Sequence, residues 1–367
     1  MSADDVLTLG ERTELSLRRL YKSYGYTHYK MNKFEEYDLY AGNKNFLVSD
    51  HVITFTDTDG KLMELKPDVT LSIVKNTRDS DAPLKVSYAE HVYRVPRGAY
   101  GFKEIMQAGV EHIGTVDVYA MSEMLMLAAR SLETISERYV LDVSDMGIVS
   151  GILAGEALDD ADRSGLLSMI SAKNPHGLHE RCAELGVSAQ AEALLAALIP
   201  LCGPLGETLG ELERLPLPDA CGEALASLRA VARMTQALGL TRINLDFSVV
   251  NDMGYYNGLI FSGFVDGIAS SVLSGGRYDL LMRRMGRRSQ AIGFAVYLDQ
   301  LERFYARREA YDVDALILYD GAADPLAVAQ AAQAQAAQGR TVRVQPGDGG
   351  ALRAREIIDL REGRTLS

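Results

Sequence analysis

The sequence contains little cysteine, and none of it forms a pattern that binds a metal or builds a disulfide framework. Its 367 residues include three cysteines, Cys182, Cys202 and Cys221. They are unevenly spaced and form no Cys-x-x-Cys pair, whereas disulfide-rich domains and structural zinc sites repeat cysteines at short, regular intervals. The sequence therefore predicts neither a disulfide scaffold nor a metal centre, and no cofactor is expected.

Long apolar runs are also missing. No segment approaches the ~20 consecutive apolar residues that a membrane-spanning helix requires. The first five residues, Met-Ser-Ala-Asp-Asp, show neither the basic start nor the apolar stretch of a signal peptide. We therefore expect a cytoplasmic protein without a membrane partner.

Positive charge is scarce relative to negative charge. The chain has 38 Lys and Arg against 50 Asp and Glu, which gives a formal net charge of −12 at pH 7. A protein this acidic lacks the positive field with which most nucleic-acid-binding proteins attract phosphates. One basic cluster remains, at Arg283, Arg284, Arg287 and Arg288. A solvated helix face explains it better than a phosphate site, as it does for most charge runs.

The first part of the chain shows helical and strand patterns in alternation. Apolar spacing predicts a first helix that ends at Gly25. Asp59-Gly60 predicts a hairpin of 52–55 with 62–65, in which both turn residues have positive φ. A second antiparallel pair, 85–95 and 102–114 with a turn at 96–98, leads into a long helix that continues to Tyr139.

The composition changes near residue 144, where Ala, Leu and Glu become dominant. We therefore predict four parts: a core segment at 1–143, a helical insertion at 144–240, a second core segment at 241–310, and a small α/β appendage at 311–367. Strands are expected at 243–250, 259–265 and 291–295, and a short helix after Gly275-Gly276. Antiparallel strands with segregated helices indicate an α+β fold.

Strand parity places several polar residues on one face of the second antiparallel pair. Gln107, Gly109 and Glu111 share a face of their strand, and Glu90 and Arg94 share a face of its partner. Such a face makes a poor core. It is either a polar pocket or a solvated outer face, and this pattern favours the two equally.

Two further segments are compatible with a binding site. Tyr255-Tyr256 could supply aromatic walls, although ordinary strand packing explains it equally well. Gly275-Gly276 would let a ligand approach the backbone closely, but a glycine pair is a weak signal by itself.

Taken in order, the motifs resemble the catalytic domain of histidyl-tRNA synthetases, a class II synthetase family. Pro-Asp-Val-Thr at 67–70 is similar to the family's Pro-Glu-Gly-Thr segment, and Tyr93-Arg94 with 104–111 resembles motif 2. Gly-Tyr-Tyr-Asn-Gly at 254–258 and Ser-Gly-Gly-Arg-Tyr-Asp at 274–279 resemble the two histidine-specific signatures. Gly-Phe-Ala at 293–295 resembles the start of motif 3. The resemblance implies a class II antiparallel sheet flanked by helices.

The sequence departs from this family at positions that serve adenylation. Asn251, Gln300 and Gly101 occupy positions where the resemblance implies arginines, Asn32 that of the motif 1 proline, and Asp68 that of a glutamate. Each cationic donor aimed at developing phosphate charge contributes factors of about 10² to 10³ in rate. The resemblance therefore implies that adenylation is lost and that the chain has no catalytic residues.

The amino-acid side of the pocket is retained. The resemblance implies that Thr70, Gln107 and Glu111 hold an α-amino group, and that Tyr256 and Tyr278 line an imidazole slot. The full set of expected histidine-binding residues is Asp68, Thr70, Arg94, Gln107, Glu111, Tyr255, Tyr256, Gly275, Gly276 and Tyr278.

A synthetase-like chain without the chemistry is similar to the regulatory subunits of ATP phosphoribosyltransferase, which favour the Pro-Asp-x-Thr form of the first motif. This resemblance implies a role in the first step of histidine biosynthesis and in its feedback by histidine. It also implies three partners: a short-form catalytic subunit, free histidine, and a second copy of the chain in a dimer built around motif 1.

Two alternatives remain open. One is a working histidine–tRNA ligase or ligase-like enzyme, against which the missing arginines and the acidic composition, unfavourable for tRNA, both argue. The other is a stand-alone amino-acid-activating enzyme with a different acceptor, which would also need phosphate-binding arginines.

Overall fold

The computed structural model describes residues 7–37, 52–80, 82–95, 101–249, 256–301, 304–305 and 311–361. The chain divides into two compact units, one formed by residues 11–301 and the other by residues 302–367 with the first ten residues. Ten of the described helices are α1 (Leu9–Ser23), α2 (Val69–Asn76), α3 (Val118–Ile135), α4 (Met146–Ile152), α5 (Asp160–Ser171), α6 (Pro175–Leu185), α7 (Ala189–Leu198), α8 (Leu205–Leu212), α9 (Gly222–Ala237) and α10 (Asp279–Arg284). Short 3₁₀ turns occupy Asp219–Cys221 and Leu298–Leu301.

A nine-stranded, mainly antiparallel sheet organises the larger unit. Its order is β1-β5-β6-β12-β11-β10-β7-β9-β8. These strands are β1 (Thr27–His28), β5 (Leu84–Arg94), β6 (Lys103–Gly114), β7 (Tyr139–Asp145), β8 (Cys202–Pro204), β9 (Ile243–Asp246), β10 (Leu259–Val265), β11 (Leu273–Arg277) and β12 (Gln290–Tyr297). Only the β1–β5 and β7–β9 pairs of this sheet are parallel. The predicted α+β class is confirmed.

Helices cover both faces of this sheet. On one face, α2 and α10 pack against β5 and β6 around Leu71, Ile73 and Leu281. On the other face, α1 and α3 are joined by a hydrogen bond between Tyr21 and Ser131 of 3.0 Å, and the Tyr21 ring meets Phe294 of β12 edge-on. The first of these faces carries the polar residues that the sequence singled out.

The long helix ends earlier than its apolar spacing predicts. Asp117 caps the start of α3 by accepting from the backbone N–H of Ala120 at 2.8 Å. At the other end Ser136 adopts an extended conformation, and Tyr139 begins β7. The prediction that Tyr139 belongs to this helix is wrong, because the next three residues turn the chain into the sheet.

A small separate sheet precedes α2. Its strands are β2 (Phe34–Glu36), β3 (Thr54–Thr56) and β4 (Leu62–Leu65), in the order β2-β4-β3. The predicted antiparallel pairing across Asp59-Gly60 is confirmed. The turn geometry differs, because Gly60 has positive φ and Asp59 does not. Instead, the Asp57 carboxylate accepts from the N–H groups of Asp59 and Lys61 at 2.9 Å each.

Strands appear at some places where helix or coil was expected. Gly275 and Gly276 lie within β11, and the predicted short helix follows them as α10. The predominantly helical stretch between β7 and β9 also contains the short strand β8, which pairs with β9. The turn predicted at 96–98 lies outside the described residues.

Residues 311–361 of the smaller unit form a three-stranded parallel sheet and a helix. Its elements are β13 (Val313–Tyr319), α11 (Pro325–Ala337), β14 (Val342–Pro346) and β15 (Ala354–Asp359). The strand order is β14-β13-β15. The mixed α/β character expected for residues 311–367 is found in the described part of this unit.

Candidate functional site

The polar face of the β5–β6 pair is buried rather than solvated. Glu90 lies directly opposite Gln107 in the sheet, and Glu111 lies opposite Gly293 of β12. Only 5% of Gln107, 1% of Glu111 and 7% of Arg94 is exposed. The alternative of a solvated outer face is therefore wrong, and the polar residues line an interior site under α2 and α10.

The Glu111 carboxylate is the centre of this site. One oxygen accepts a hydrogen bond from the Thr70 hydroxyl at 2.8 Å, and the other accepts from the Tyr278 hydroxyl at 2.6 Å. Burial raises the pKa of Glu111 to about 8, and the nearby charge of Asp68 adds to the rise, while the two hydroxyl hydrogen bonds oppose it. Within the described residues, no Lys, Arg or His forms an ion pair with it. Such a carboxylate is suited to accept a cationic group from a ligand.

A glycine opposite Glu111 makes room for its side chain. A Cβ atom at Gly293 would lie 1.7 Å from a Glu111 carboxylate oxygen, which is far inside any real contact. A Cβ atom at Gly109 would likewise lie 2.5 Å from the Tyr88 hydroxyl oxygen. These two strand positions therefore leave room for the side chains of Glu111 and Tyr88, because they have no side chain of their own.

The start of α2 brings charged groups to the edge of the site. Asp68 caps the helix by accepting from the N–H of Leu71 at 2.8 Å. Burial raises the pKa of Asp68, and the charges of Arg94 and Lys66 oppose that rise. Lys66 is fully buried, and its ammonium group lies 3.1 Å from a Glu90 carboxylate oxygen. Of the Lys and Arg side chains in the described residues, Lys66 and Arg94 are buried.

The remaining predicted site residues are placed unequally. Tyr278 bonds Glu111 directly, and the Tyr256 ring packs over Gly276, where a Cβ atom would lie 2.8 Å from the ring. Gly275 pairs with Phe294, so it faces the opposite side of the sheet from Gly276. Tyr255 lies outside the described residues.

Three residues of the site were missed from the sequence. Lys66 and Gly293 have the roles described above, and Tyr297 lies opposite Gln107 with its hydroxyl 2.6 Å from that of Ser274. A signal existed for Lys66, which directly precedes Pro67-Asp68. For Gly293 the only signal was its place in the resemblance to motif 3, and for Tyr297 there was none, because the position of both in the site depends on the pairing of β12 with β6.

Two of the positions where arginine was implied are described. Gln300 accepts a hydrogen bond from the Ser270 hydroxyl at 2.6 Å. Gly101 is exposed with a φ of 85°, and nothing lies within 4 Å of where its Cβ would be. Asn251 lies outside the described residues. Neither described side chain supplies the positive charge that a nucleotide phosphate would require.

The described ranges contain neither a metal-type cluster nor a membrane-type helix. No three His, Cys, Asp or Glu side chains in them lie together as a metal site would require. No helix in those same ranges is both long and apolar enough to span a bilayer.

The sequence is similar to a known protein family and to a regulatory subunit of known name. The family model described as histidyl-tRNA synthetase matches residues 8–301. An ATP phosphoribosyltransferase regulatory subunit from Acetivibrio thermocellus is 26% identical over 314 residues, which cover 83% of this chain and 75% of that protein.

Solved structures share the fold. One, described as an ATP phosphoribosyltransferase regulatory subunit/histidyl-tRNA synthetase from Bacillus halodurans, has a TM-score of 0.73 at 23% identity and covers 97% of this chain and 95% of its own. An ATP phosphoribosyltransferase complex from Thermotoga maritima has a TM-score of 0.61 at 16% identity, with 78% of this chain and 96% of that chain covered.

Proposed function

The chain belongs to the histidyl-tRNA synthetase family, and from that premise we propose that it is the non-catalytic regulatory subunit of an ATP phosphoribosyltransferase. In this role it is needed for the first step of histidine biosynthesis and for feedback by histidine. The regulatory subunit named among its relatives supports this proposal, since it matches over most of both chains.

The observation that carries the proposal is the buried Glu111 carboxylate. It is held by the hydroxyls of Thr70 and Tyr278 and lacks a cationic partner among the described residues. A free amino acid supplies an ammonium group for this position. Gln300 and Gly101, by contrast, supply no charge for a nucleotide phosphate. The site thus supports amino-acid binding better than amino-acid activation.

We assign the ligand as free histidine. In this assignment Thr70, Gln107 and Glu111 surround the α-ammonium group, and Arg94 and Asp68 form the polar edge of the site. Tyr256 and Tyr278 bound the slot for the imidazole ring, whose nitrogens can pair with a tyrosine hydroxyl. Gly276, which has no side chain, lets the Tyr256 ring pack directly against β11 at the side of this slot.

We further propose a two-fold dimer built on the small sheet, which begins two residues after Asn32. Its strands direct Phe34 and Phe55 to one face, where the rings meet edge-on at 5.2 Å between centroids. Phe34 is 53% exposed and Phe55 36% exposed. Paired aromatic rings on a surface are typical of a contact with another protein chain.

Reconstitution with a short-form catalytic subunit from the same organism tests the proposal. We expect the two proteins to co-elute in size-exclusion chromatography. Phosphoribosyl transfer should rise at least tenfold on mixing, and histidine should suppress it. Feedback requires that histidine binds the less active state more tightly, for which about 1–3 kcal/mol of coupling is enough.

The ligase alternative is checked in the same preparation. Histidine-dependent exchange of pyrophosphate into ATP should remain at background. The reason is that Gln300 and Gly101 stand at two positions where an activating enzyme of this family would have arginine. Robust exchange, or separate elution with unchanged transferase activity, would contradict the regulatory assignment.

A further inference from the structure

The helix α2 holds the ligand site from one side, and it is short. It spans Val69–Asn76, about two turns, and contributes Thr70 to the Glu111 carboxylate. A helix of this length is not stable by itself in water. Its position therefore depends on how its two ends are held.

The C-terminal end of α2 is held by a single arginine from another element. One terminal nitrogen of Arg287 donates to the carbonyl oxygens of Val74 at 3.2 Å and Lys75 at 3.3 Å, and it also bonds the carbonyl of Thr77. The last carbonyls of a helix have no partner within the helix. A cation at this end also interacts favourably with the helix dipole. Arg287 supplies both.

The segment that carries Arg287 is itself fixed in place. Gly286, with a φ of 71°, lets the chain turn after α10. On the other side, the Asp79 carboxylate accepts from the backbone N–H of Arg288 at 3.1 Å and from the Ser289 hydroxyl at 2.7 Å. The guanidinium group is therefore presented to α2 from a defined loop.

The loop that carries Arg287 and the Tyr278 hydroxyl that binds Glu111 lie at opposite ends of the same helix, α10. Tyr278 directly precedes α10, and Arg287 follows that helix. The two elements that grip Glu111, through Thr70 and Tyr278, are therefore joined a second time at the far end of α2. Val74 is four residues from Thr70, which corresponds to about 6 Å along the helix.

We propose that Arg287 is a positioning residue for the ligand site: it pins the end of α2 to the α10–β12 loop and so holds the Thr70 hydroxyl on Glu111. This inference rests on the proposed binding of histidine. It also corrects the interpretation of the basic cluster as one solvated face. Arg283 and Arg288 are exposed, whereas Arg287 is half-buried against α2.

Calorimetric titration of the full-length protein with histidine tests the inference. Arg287→Ala should weaken binding about tenfold or more. Arg287→Lys should lose less, because its ammonium group reaches fewer carbonyls but keeps the charge. The matched control is Arg288→Ala, since Arg288 engages Asp79 through its backbone and its side chain is exposed. This control should bind within twofold of the unaltered protein.

A double-mutant cycle separates positioning from general destabilisation. If Arg287 acts through Thr70, Arg287→Ala should add little further loss of affinity in a Thr70→Ala background, while it still lowers the melting temperature there. Equal losses of affinity in both backgrounds would overturn the inference, as would unchanged binding by folded Arg287→Ala and Arg287→Lys. Absence of histidine binding to the unaltered protein would instead overturn the ligand assignment, and this inference with it.

Discussion

At the scale of single residues, the charge of Glu111 depends on what occupies the site. Its pKa of about 8, raised mainly by burial, leaves it largely protonated at neutral pH when the site holds no cation. An ammonium group beside it favours the ionised form. On the proposed ligand assignment, binding of histidine is therefore linked to loss of a proton from Glu111.

This linkage predicts a pH dependence of binding. Between pH 6.5 and 8, histidine affinity should rise with pH, because the protein no longer has to release the Glu111 proton on binding. Glu111→Gln should bind at least tenfold more weakly at pH 8 and lose this rise. Histidine itself titrates in this range, and it does so equally in both experiments. The difference between the two pH profiles of affinity therefore reports on Glu111 alone. Calorimetry at several pH values measures it.

A neighbouring glutamate provides the control. Glu104 lies on the same strand, is exposed, and accepts a hydrogen bond from the Tyr93 hydroxyl at 2.8 Å. Glu104→Gln should keep both the affinity and its pH dependence. A pH profile of Glu111→Gln that parallels the unaltered protein would refute the assigned role of Glu111.

Half of the site could be predicted at this scale. Gln107, Glu111 and Arg94 follow from strand parity within one hairpin, because side chains alternate strictly along a strand. Strand parity could not decide whether this polar face lines a pocket or faces solvent, because that depends on which helix covers the face. Gly293 and Tyr297 enter the site through a partner strand far along the chain, and local pattern contains no information on that register.

At the scale of elements, the small sheet of β2, β3 and β4 buries two glutamate side chains and exposes two phenylalanine rings. Glu35 and Glu64 lie directly opposite each other on β2 and β4, and Ser72 of α2 donates to Glu35. Glu64 is fully buried, and neither of its carboxylate oxygens has a hydrogen-bond partner among the residues that the structure describes. Burial and then the charge of Glu35 raise the pKa of Glu64 to about 8, while Lys75 opposes the rise.

This element should therefore be stabler when Glu64 is neutral. From about pH 4.5 to 8 the group is protonated in the folded chain and ionised in the unfolded chain, so its contribution to stability falls as pH rises. Glu64→Gln should flatten that decline and raise the melting temperature at pH 8.5 by roughly 2 °C or more. Glu36→Gln, on the same small sheet but exposed and paired with Lys61, should not. Thermal melts at pH 6 and 8.5 decide between them, and an equal response of the two variants would contradict the explanation.

Prediction of elements succeeded where the pattern was long and local. The β5–β6 pair and α3 each span more than ten residues of regular spacing. The sequence of β8, Cys202–Pro204, contains a glycine and a proline and offers no strand period. β7 was obscured because Tyr139 continues the apolar spacing of α3, and only residues 136–138 separate the two elements.

At the scale of the whole molecule, the exposed rings of Phe34 and Phe55 predict how copies assemble. The unaltered protein should have the mass of a dimer in light scattering. A Phe34→Ser, Phe55→Ser double variant should shift toward the monomer, because removing two aromatic contacts costs about 2 kcal/mol or more at a protein interface. Leu326→Ser, at an exposed leucine of α11, should leave the mass unchanged. A dimeric double variant would place the contact elsewhere.

The pairing of β6 with β12 also has a consequence for biosynthesis on the ribosome. Glu111 is translated long before Gly293, its neighbour across the sheet, and at about 5–20 residues per second the interval is roughly 10–35 s. Throughout that time the growing chain exposes an open edge of β6, a surface that readily pairs with strands of other chains. The proposed ligand site is thus among the last features of the nascent protein to form. A nascent chain stalled before residue 290 would expose the unpaired edge of the β5–β6 hairpin, which is prone to aggregation, and would have no ligand pocket.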